Sequence, residues 1–388
     1  MNGMAEQIKV LLVGGTWGTG KLINPDGRKS SVVQKMYDAI YELSKKEFNM
    51  DCQLFNGGDF YELKMCLTYA SYADITIWMP NVPDNDLPKL RDVKAVAPKT
   101  ILVTSKRNFD NKYRFGDIVR RALGTKSNLL IEFTKGESKL FNMSVIDPLG
   151  NEWYNGTNIE MMVRALIERA IFLKGITRKP TIREDDLFGK DKKVKAVDVD
   201  KFVGLVHRCG KVFAEYTPSA NNTTRLLGNC SLVQTTRCSK GFPTLRTDSG
   251  VVYVSQRNVD KQALTVKNLV PVKYIDDKIC YCGENKPSVD TPIQVKLYEK
   301  LPYINYMIHS HCYIKNAPFT KRCIPCGGLE EVDEIMDVIE NSVCGTDILY
   351  FEINLKGHGS IVMANRFALL EGIENDYYPR EFPEVQYE

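Results

Sequence analysis

The chain has 388 residues, 43% of them apolar and 26% charged, with a formal net charge of only +4. That length favours two domains over one, and the near-balanced charge argues against a dedicated nucleic-acid surface. No apolar run is long enough to cross a bilayer, and eleven scattered cysteines behind a short polar start read as reduced cytoplasmic thiols rather than a disulfide framework.

The first half alternates strands and helices. Ile8–Val13 reads as a buried strand ending at Gly14-Gly15. Gly15-Thr16-Trp17-Gly18-Thr19-Gly20-Lys21 then nearly spells a P-loop, but Leu22 stands where a hydroxyl would hold magnesium, and Ile23–Gly27 is no helix start. ATP hydrolysis is therefore not expected. Backbone N–H groups of Gly15, Thr16, Gly18, Thr19 and Gly20, with the charge of Lys21, could still cradle a phosphate or sugar; the alternative is a wide βα connection. Ser30 or Ser31 offers an N-cap to a helix with Val32, Val33, Met36, Ile40 and Leu43 on its apolar face. Buried strands are expected at Ala73–Met79, Thr100–Thr104 and Leu129–Phe133, and a long helix from about Asn158 to Leu173, stopping at Gly175. This rhythm predicts a Rossmann- or flavodoxin-like parallel sheet. Polar groups at strand ends, Asn56–Asp59, Asn81, Ser105–Asn108 and Thr134-Lys135, suit a nucleotide- or sugar-like ligand by fold analogy.

From Lys179 to Lys195 the pattern breaks at Pro180, the acidic Glu184-Asp185-Asp186, Gly189 and a lysine-rich run. That reads as a linker (179–195) between domains over 1–178 and 196–388; a solvated loop inside one domain is the alternative. A helix over Val199–Tyr216 opens the second half, with His207 on it as an ordinary packed or surface histidine. Strands are expected at Leu232–Thr235, Val251–Val254, Val270–Ile275, Lys278–Tyr281, Tyr303–His309, Leu349–Leu355 and Ser360–Ala364, and a helix over Leu329–Ile339. Strands with helices around them predict an α+β or three-layer α/β/α domain.

The chain holds four histidines, and three of them fall in two short contexts, His309-Ser310-His311 and Gly357-His358-Gly359. Residues i and i+2 of a strand face one way, so His309 and His311 would present both imidazoles to one point. With His358 they would hold a divalent ion and leave positions open for substrate. The alternative is an exposed histidine pair beside an unrelated turn histidine.

A longer pattern surrounds them: Gly228-Asn229-Cys230-Ser231, then Ser249-Gly250, then Lys286-Pro287-Ser288-Val289-Asp290-Thr291-Pro292, then the histidines. In order and spacing, residues 197–388 resemble the class II aldolase/adducin family, which includes sugar-phosphate aldolases, a ribulose-phosphate 4-epimerase and a dehydratase. The resemblance implies that His309, His311 and His358 are ligands of a divalent metal, Zn2+ first, with Mn2+ or Co2+ as alternatives. It implies that Asp290 is the general base or a metal ligand, and that Gly228, Asn229, Ser249, Gly250 and Ser288 bind the substrate phosphate. It also implies a homotetramer. The chemistry agrees with the residue types: a divalent ion polarises a ketose carbonyl, and a carboxylate beside it takes a hydroxyl proton.

Three departures narrow the inference. Val289 replaces the usual second serine. The run through Asp290, and Ile324-Pro325-Cys326, are closest to the epimerase version. Yet Cys312–Cys323 contains no Asp or Glu to serve as the epimerase acid/base. The expectation is thus an aldolase-type lyase on a phosphorylated sugar or related compound, with an epimerase or dehydratase as the enzyme rival and a non-catalytic adducin-like interaction module as the rival of another class. No motif selects a proton donor among Tyr377, Tyr378 and Tyr387. Cys323 and Cys326 spell CxxC, but without a partner pair they do not read as a redox or zinc pair.

Overall fold

The computed structural model describes residues 7–18, 21–23, 29–57, 73–86, 97–136, 141–188, 194–217, 228–236, 245–246, 250–342 and 349–387. The chain divides into two compact units, Met1–Gly175 with Phe382–Glu388, and Ile176–Glu381.

The first unit is built on β1 (Ile8–Val13), β2 (Met50–Phe55), β3 (Ile75–Trp78), β4 (Ile101–Asn108), β5 (Leu129–Lys135), β6 (Phe141–Ile146) and β7 (Asn151–Gly156). β2, β1, β3, β4 and β5 lie side by side in that order and are parallel, and β6 and β7 continue the sheet antiparallel. The parallel part therefore has the flavodoxin-like order 2-1-3-4-5. Helix α1 (Ser31–Lys46) starts where Ser30 Oγ accepts the Val33 N–H at 3.3 Å. It packs with α3 (Ile159–Gly175) against one face of the sheet through Met36, Ile40, Leu166 and Ile167. α2 (Phe115–Thr125) covers the other face through Ile118, Val119 and Ala122.

In the second unit, β8 (Thr181–Arg183), β9 (Asn229–Val233), β10 (Val252–Ser255), β11 (Leu269–Ile275), β12 (Lys278–Tyr281), β13 (Tyr306–Ser310), β14 (Tyr350–Leu355) and β15 (Gly359–Ala364) form one sheet in the order β8-β12-β11-β10-β9-β13-β15-β14. All its pairings are antiparallel except β8 with β12. α4 (Val199–Tyr216) covers one face; α5 (Thr291–Lys300) and α6 (Glu330–Ser342) cover the other. The two-residue period of a strand assigns the faces. Tyr306, Ile308, Val362 and Ala364 join the cluster of α4, whereas Met307, Ile361 and Met363 join that of α5 and α6. His309, two residues beyond Met307, consequently points to the side of α5 and α6.

Two domain boundaries differ from the sequence reading. Thr181–Arg183, inside the expected linker, pairs with β12, and Asp185 Oδ1 accepts the Gly283 N–H at 2.8 Å. An edge strand tolerates the polar, proline-flanked composition that reads as a linker. At the other end, Glu384–Val385 pairs in parallel with β7, so the last residues belong with the first unit rather than the second. Among the described residues no helix is long and apolar enough to cross a membrane.

Candidate metal centre

The three histidines meet. Their ring centroids form a near-equilateral triangle: 5.1 Å for His309–His311, 4.8 Å for His309–His358 and 5.1 Å for His311–His358. Each offers one ligand atom within 4.8 Å of the others', and their exposures are only 3%, 4% and 0%. His309 lies within β13, directly opposite Asn229 of β9. His358 sits in the turn joining β14 to β15, with its N–H on Leu355 O at 2.9 Å. Gly359 makes this approach possible: a Cβ there would stand 1.9 Å from Ser310 O and 2.6 Å from His311 Cα, and its φ of +138° favours glycine. A hydroxyl pair, Ser310 Oγ to Ser360 Oγ at 2.9 Å, clamps the same crossing.

The rings are oriented from behind. His309 Nδ1–H donates to Ser360 O at 2.9 Å, which leaves the Nε2 lone pair facing inward. His358 Nδ1–H donates to Glu331 Oε1 at 2.8 Å, an arrangement common behind metal-bound histidine. Burial pushes His309 down to about 4 and His311 well below its ordinary value, so both rings are neutral. Burial opposes charge on His358 too, but the Glu331 carboxylate and Cys326 outweigh it and hold His358 well above its usual range. Burial in turn raises Glu331.

The donor set fits a divalent ion on a further observation. His309 Nε2 and His311 Nδ1 are buried without a hydrogen-bond partner among the described residues. An unsatisfied buried polar atom costs about 1–3 kcal/mol, and His309 Nε2, on the ring edge opposite the Ser360 contact, is one that an ion held by the triad would relieve.

Asp290 joins from the N-cap of α5. Its Oδ2 accepts the Asn229 Nδ2–H at 3.0 Å and lies 3.8 Å from His309 Nε2; its Oδ1 accepts the Gly327 N–H at 2.8 Å. Gln294, one turn further along α5, donates to Asn229 Oδ1. Asn229, expected on the substrate phosphate, has its amide engaged by Asp290 and Gln294. Gly228 places β9 against β13, where a Cβ would be 2.8 Å from His309 O. Ser288 lies just before the acid, its Oγ 3.4 Å from Asp290 N.

The Ser249-Gly250 expectation divides. Ser249 lies outside the described residues. Gly250 precedes β10, whose register pairs Val252 with Val233 and Val254 with Ser231, so it stands at the far end of the strand from Asn229. The segment that does reach Ser288 is Ser255-Gln256-Arg257: Ser255 O accepts the Ser288 N–H at 3.1 Å, Arg257 N–H donates to Lys286 O at 2.8 Å, and Gln256 bridges Pro287. A glycine motif in sequence did not reveal which end of the strand carries it.

Sequence reasoning also missed Glu331 and Lys261. Glu331 stands among the acids of the first turn of α6, where acidic residues are ordinary. Lys261 is buried, donates to Val259 O at 3.1 Å, and is pushed down to about 8 by burial, with Asp290 among the charges acting on it. Of the tail tyrosines, Tyr377 is buried with its ring edge-on to Phe213, and Tyr377 and Tyr378 pair with Ile314 and Tyr313. Tyr387 donates to Glu152 at 3.1 Å in the first unit. His207 faces Leu264 O, apart from the site, as expected.

The P-loop-like segment of the first unit is a hairpin, Thr16–Gly18 with Lys21–Ile23; Thr19 and Gly20 lie outside the described residues. Gly14 and Gly15 line a cavity of about 170 Å³ with Ser30, Met79, Arg107 and Phe133. It sits beyond the ends of β1 and β3, where such sheets bind ligands.

Residues 218–366 match the family model described as Class II Aldolase and Adducin N-terminal domain. No curated protein matches the chain. Similar solved structures include an L-fuculose 1-phosphate aldolase (15% identity, 47% of this chain and 82% of that one, TM-score 0.32). A DNA/pantothenate metabolism flavoprotein from Streptococcus pneumoniae is 12% identical over 44% of this chain and 99% of that one, TM-score 0.32. YgbL from Klebsiella pneumoniae is 13% identical over 42% and 78%, TM-score 0.26. These overlaps are low, and the assignment of residues 218–366 stands on the family match.

Proposed function

We propose, from the premise that the C-terminal half carries a class II aldolase domain, that this domain is a divalent-metal-dependent aldolase-type lyase acting on a phosphorylated sugar or related compound. One observation carries the reading: three buried imidazoles converge with two unpartnered ring nitrogens, beside a buried carboxylate. His309, His311 and His358 would hold the ion, Zn2+ first by donor type, with Mn2+ or Co2+ able to replace it. When bound, it would supply Lewis-acid polarisation of a substrate carbonyl.

The chain's own groups do the rest. Asp290, oriented by Asn229 and Gly327, accepts the hydroxyl proton whose loss begins C–C cleavage. Glu331 fixes the His358 ring. Two buried cations suit an anionic substrate: Lys261, and Arg380, whose charge acts on His311. The acid-free Cys312–Cys323 segment favours a lyase over the 4-epimerase, and the intact triad favours an enzyme over an adducin-like module. The family resemblance supports a homotetramer and a cytoplasmic setting, and the first-unit cavity supports a nucleotide- or sugar-like ligand there. Metal analysis of the purified chain, coupled to a screen of phosphorylated ketoses with added Zn2+ or Mn2+, tests the reading. One bound ion and release of an aldehyde and a three-carbon phosphate are expected. Absence of a bound ion would overturn it.

A further inference from the structure

Cys326 stands beside His358, the histidine that belongs to both candidate ligand sets. Its Sγ is 3.2 Å from His358 Nε2, and Asp290, Cys326 and His358 form a second set whose ligand atoms all lie within 4.8 Å of one another. A nitrogen and a sulfur bound to one tetrahedral zinc, at about 2.0–2.1 and 2.3 Å from it, are roughly 3.5–3.6 Å apart. The observed separation is a few tenths of an ångström shorter.

The backbone fixes the thiol there. The Gly327 N–H is held by Asp290 Oδ1 at 2.8 Å. At Gly327, with φ +75°, a Cβ would meet Val289 Cγ1 at 3.0 Å and Val289 O at 3.1 Å. The turn after Cys326 is thus pressed onto the turn before Asp290, and sulfur and carboxylate are presented together. Val289, which departs from the serine of the family pattern, packs under that turn. Cys323, the other half of the CxxC spelling, is buried.

We propose that Cys326 is a ligand of the metal, so that the centre is built from three imidazole nitrogens and one thiolate, with Asp290 beside it. The inference rests on the metal-centre reading above and deepens it. On binding, the thiol proton leaves to solvent and the sulfur lone pair forms the bond to the ion. A thiolate lowers the charge the ion presents to substrate and selects Zn2+ or Co2+ over Mg2+ and Mn2+.

The test is titration of the metal-stripped full chain with Co2+, followed by absorption spectroscopy. The expected result is visible ligand-field bands and a near-ultraviolet sulfur-to-cobalt charge-transfer band, both saturating at one equivalent. In Cys326→Ser the charge-transfer band should vanish while the visible bands remain. Affinity by chelator competition should fall by at least the roughly 10–100-fold that losing an outer-shell contact costs. Visible bands without a sulfur band, or a sulfur band that survives in Cys326→Ser, would overturn the inference and leave the histidine centre standing. No Co2+ binding at all would overturn both. X-ray absorption at the zinc edge of the unmodified chain keeps the test independent of how the variant folds: one sulfur at about 2.3 Å supports the ligand, and a nitrogen/oxygen-only shell removes it.

Discussion

The two sheets gather polar groups by different rules. In the parallel sheet of the first unit, every parallel strand ends on the same edge. The cavity of about 170 Å³ there is lined in part by residues that follow strands, such as Gly14, Gly15 and Met79. In the antiparallel sheet of the second unit, neighbouring strands run opposite ways, and groups distant in sequence meet at one end. Asn229 opens β9, His309 lies one residue before the end of β13, and His358 precedes β15. Side chains on a hydrogen-bonded ladder are held more tightly than those on loops. The comparison teaches that the second site is a buried constellation in which each removal should be felt, whereas the first is open to variation.

That contrast can be broken most decisively at the triad. In His309→Ala combined with His311→Ala, bound metal should fall from about one equivalent to near zero, read by elemental analysis. Retention of the ion would mean that the three rings meet for some other reason. Next comes Asp290→Asn, which should lower kcat by about 100- to 10,000-fold with an unchanged circular dichroism spectrum. Full turnover would remove its role as base. Glu331→Gln keeps the shape of the contact with His358 and removes its charge. Metal affinity should drop roughly 10- to 100-fold in chelator competition, and an unchanged affinity would make Glu331 a packing residue only. The smallest effect on activity is expected at the other end of β10: Gly250→Ala, strained by the φ of +63° there, should cost about 1 kcal/mol of stability yet leave metal content unchanged and kcat/KM within about twofold. A large loss there would contradict the register that separates Gly250 from Ser288.

Periodicity and a handful of rare residues made much of this legible in advance. The β1 strand, α1 with its Ser30 cap, α4, the histidine triad and the family likeness were all readable, because each rests on local spacing or side-chain type. β2, α2, the β6–β7 hairpin and α5 were not. Met50–Phe55 is half exposed, so neither strand pattern is strong, and Thr291–Lys300 is buried nearly all round and shows no stripe. At the site, what stayed hidden was pairing at a distance: Glu331 behind His358, Gln294 behind Asn229, and Gln256 rather than Gly250 beside Pro287. Such contacts depend on strand register and helix placement, which a one-dimensional pattern does not encode.

The short Glu384–Val385 strand has a consequence for how the chain matures. Because it completes the edge of the first sheet beside β7, that sheet gains its last strand only after all of residues 176–381 have left the ribosome. The first unit must therefore wait, one edge unfinished, while the second unit is made. A stalled or truncated chain would display the open β7 edge as a template for pairing with other chains.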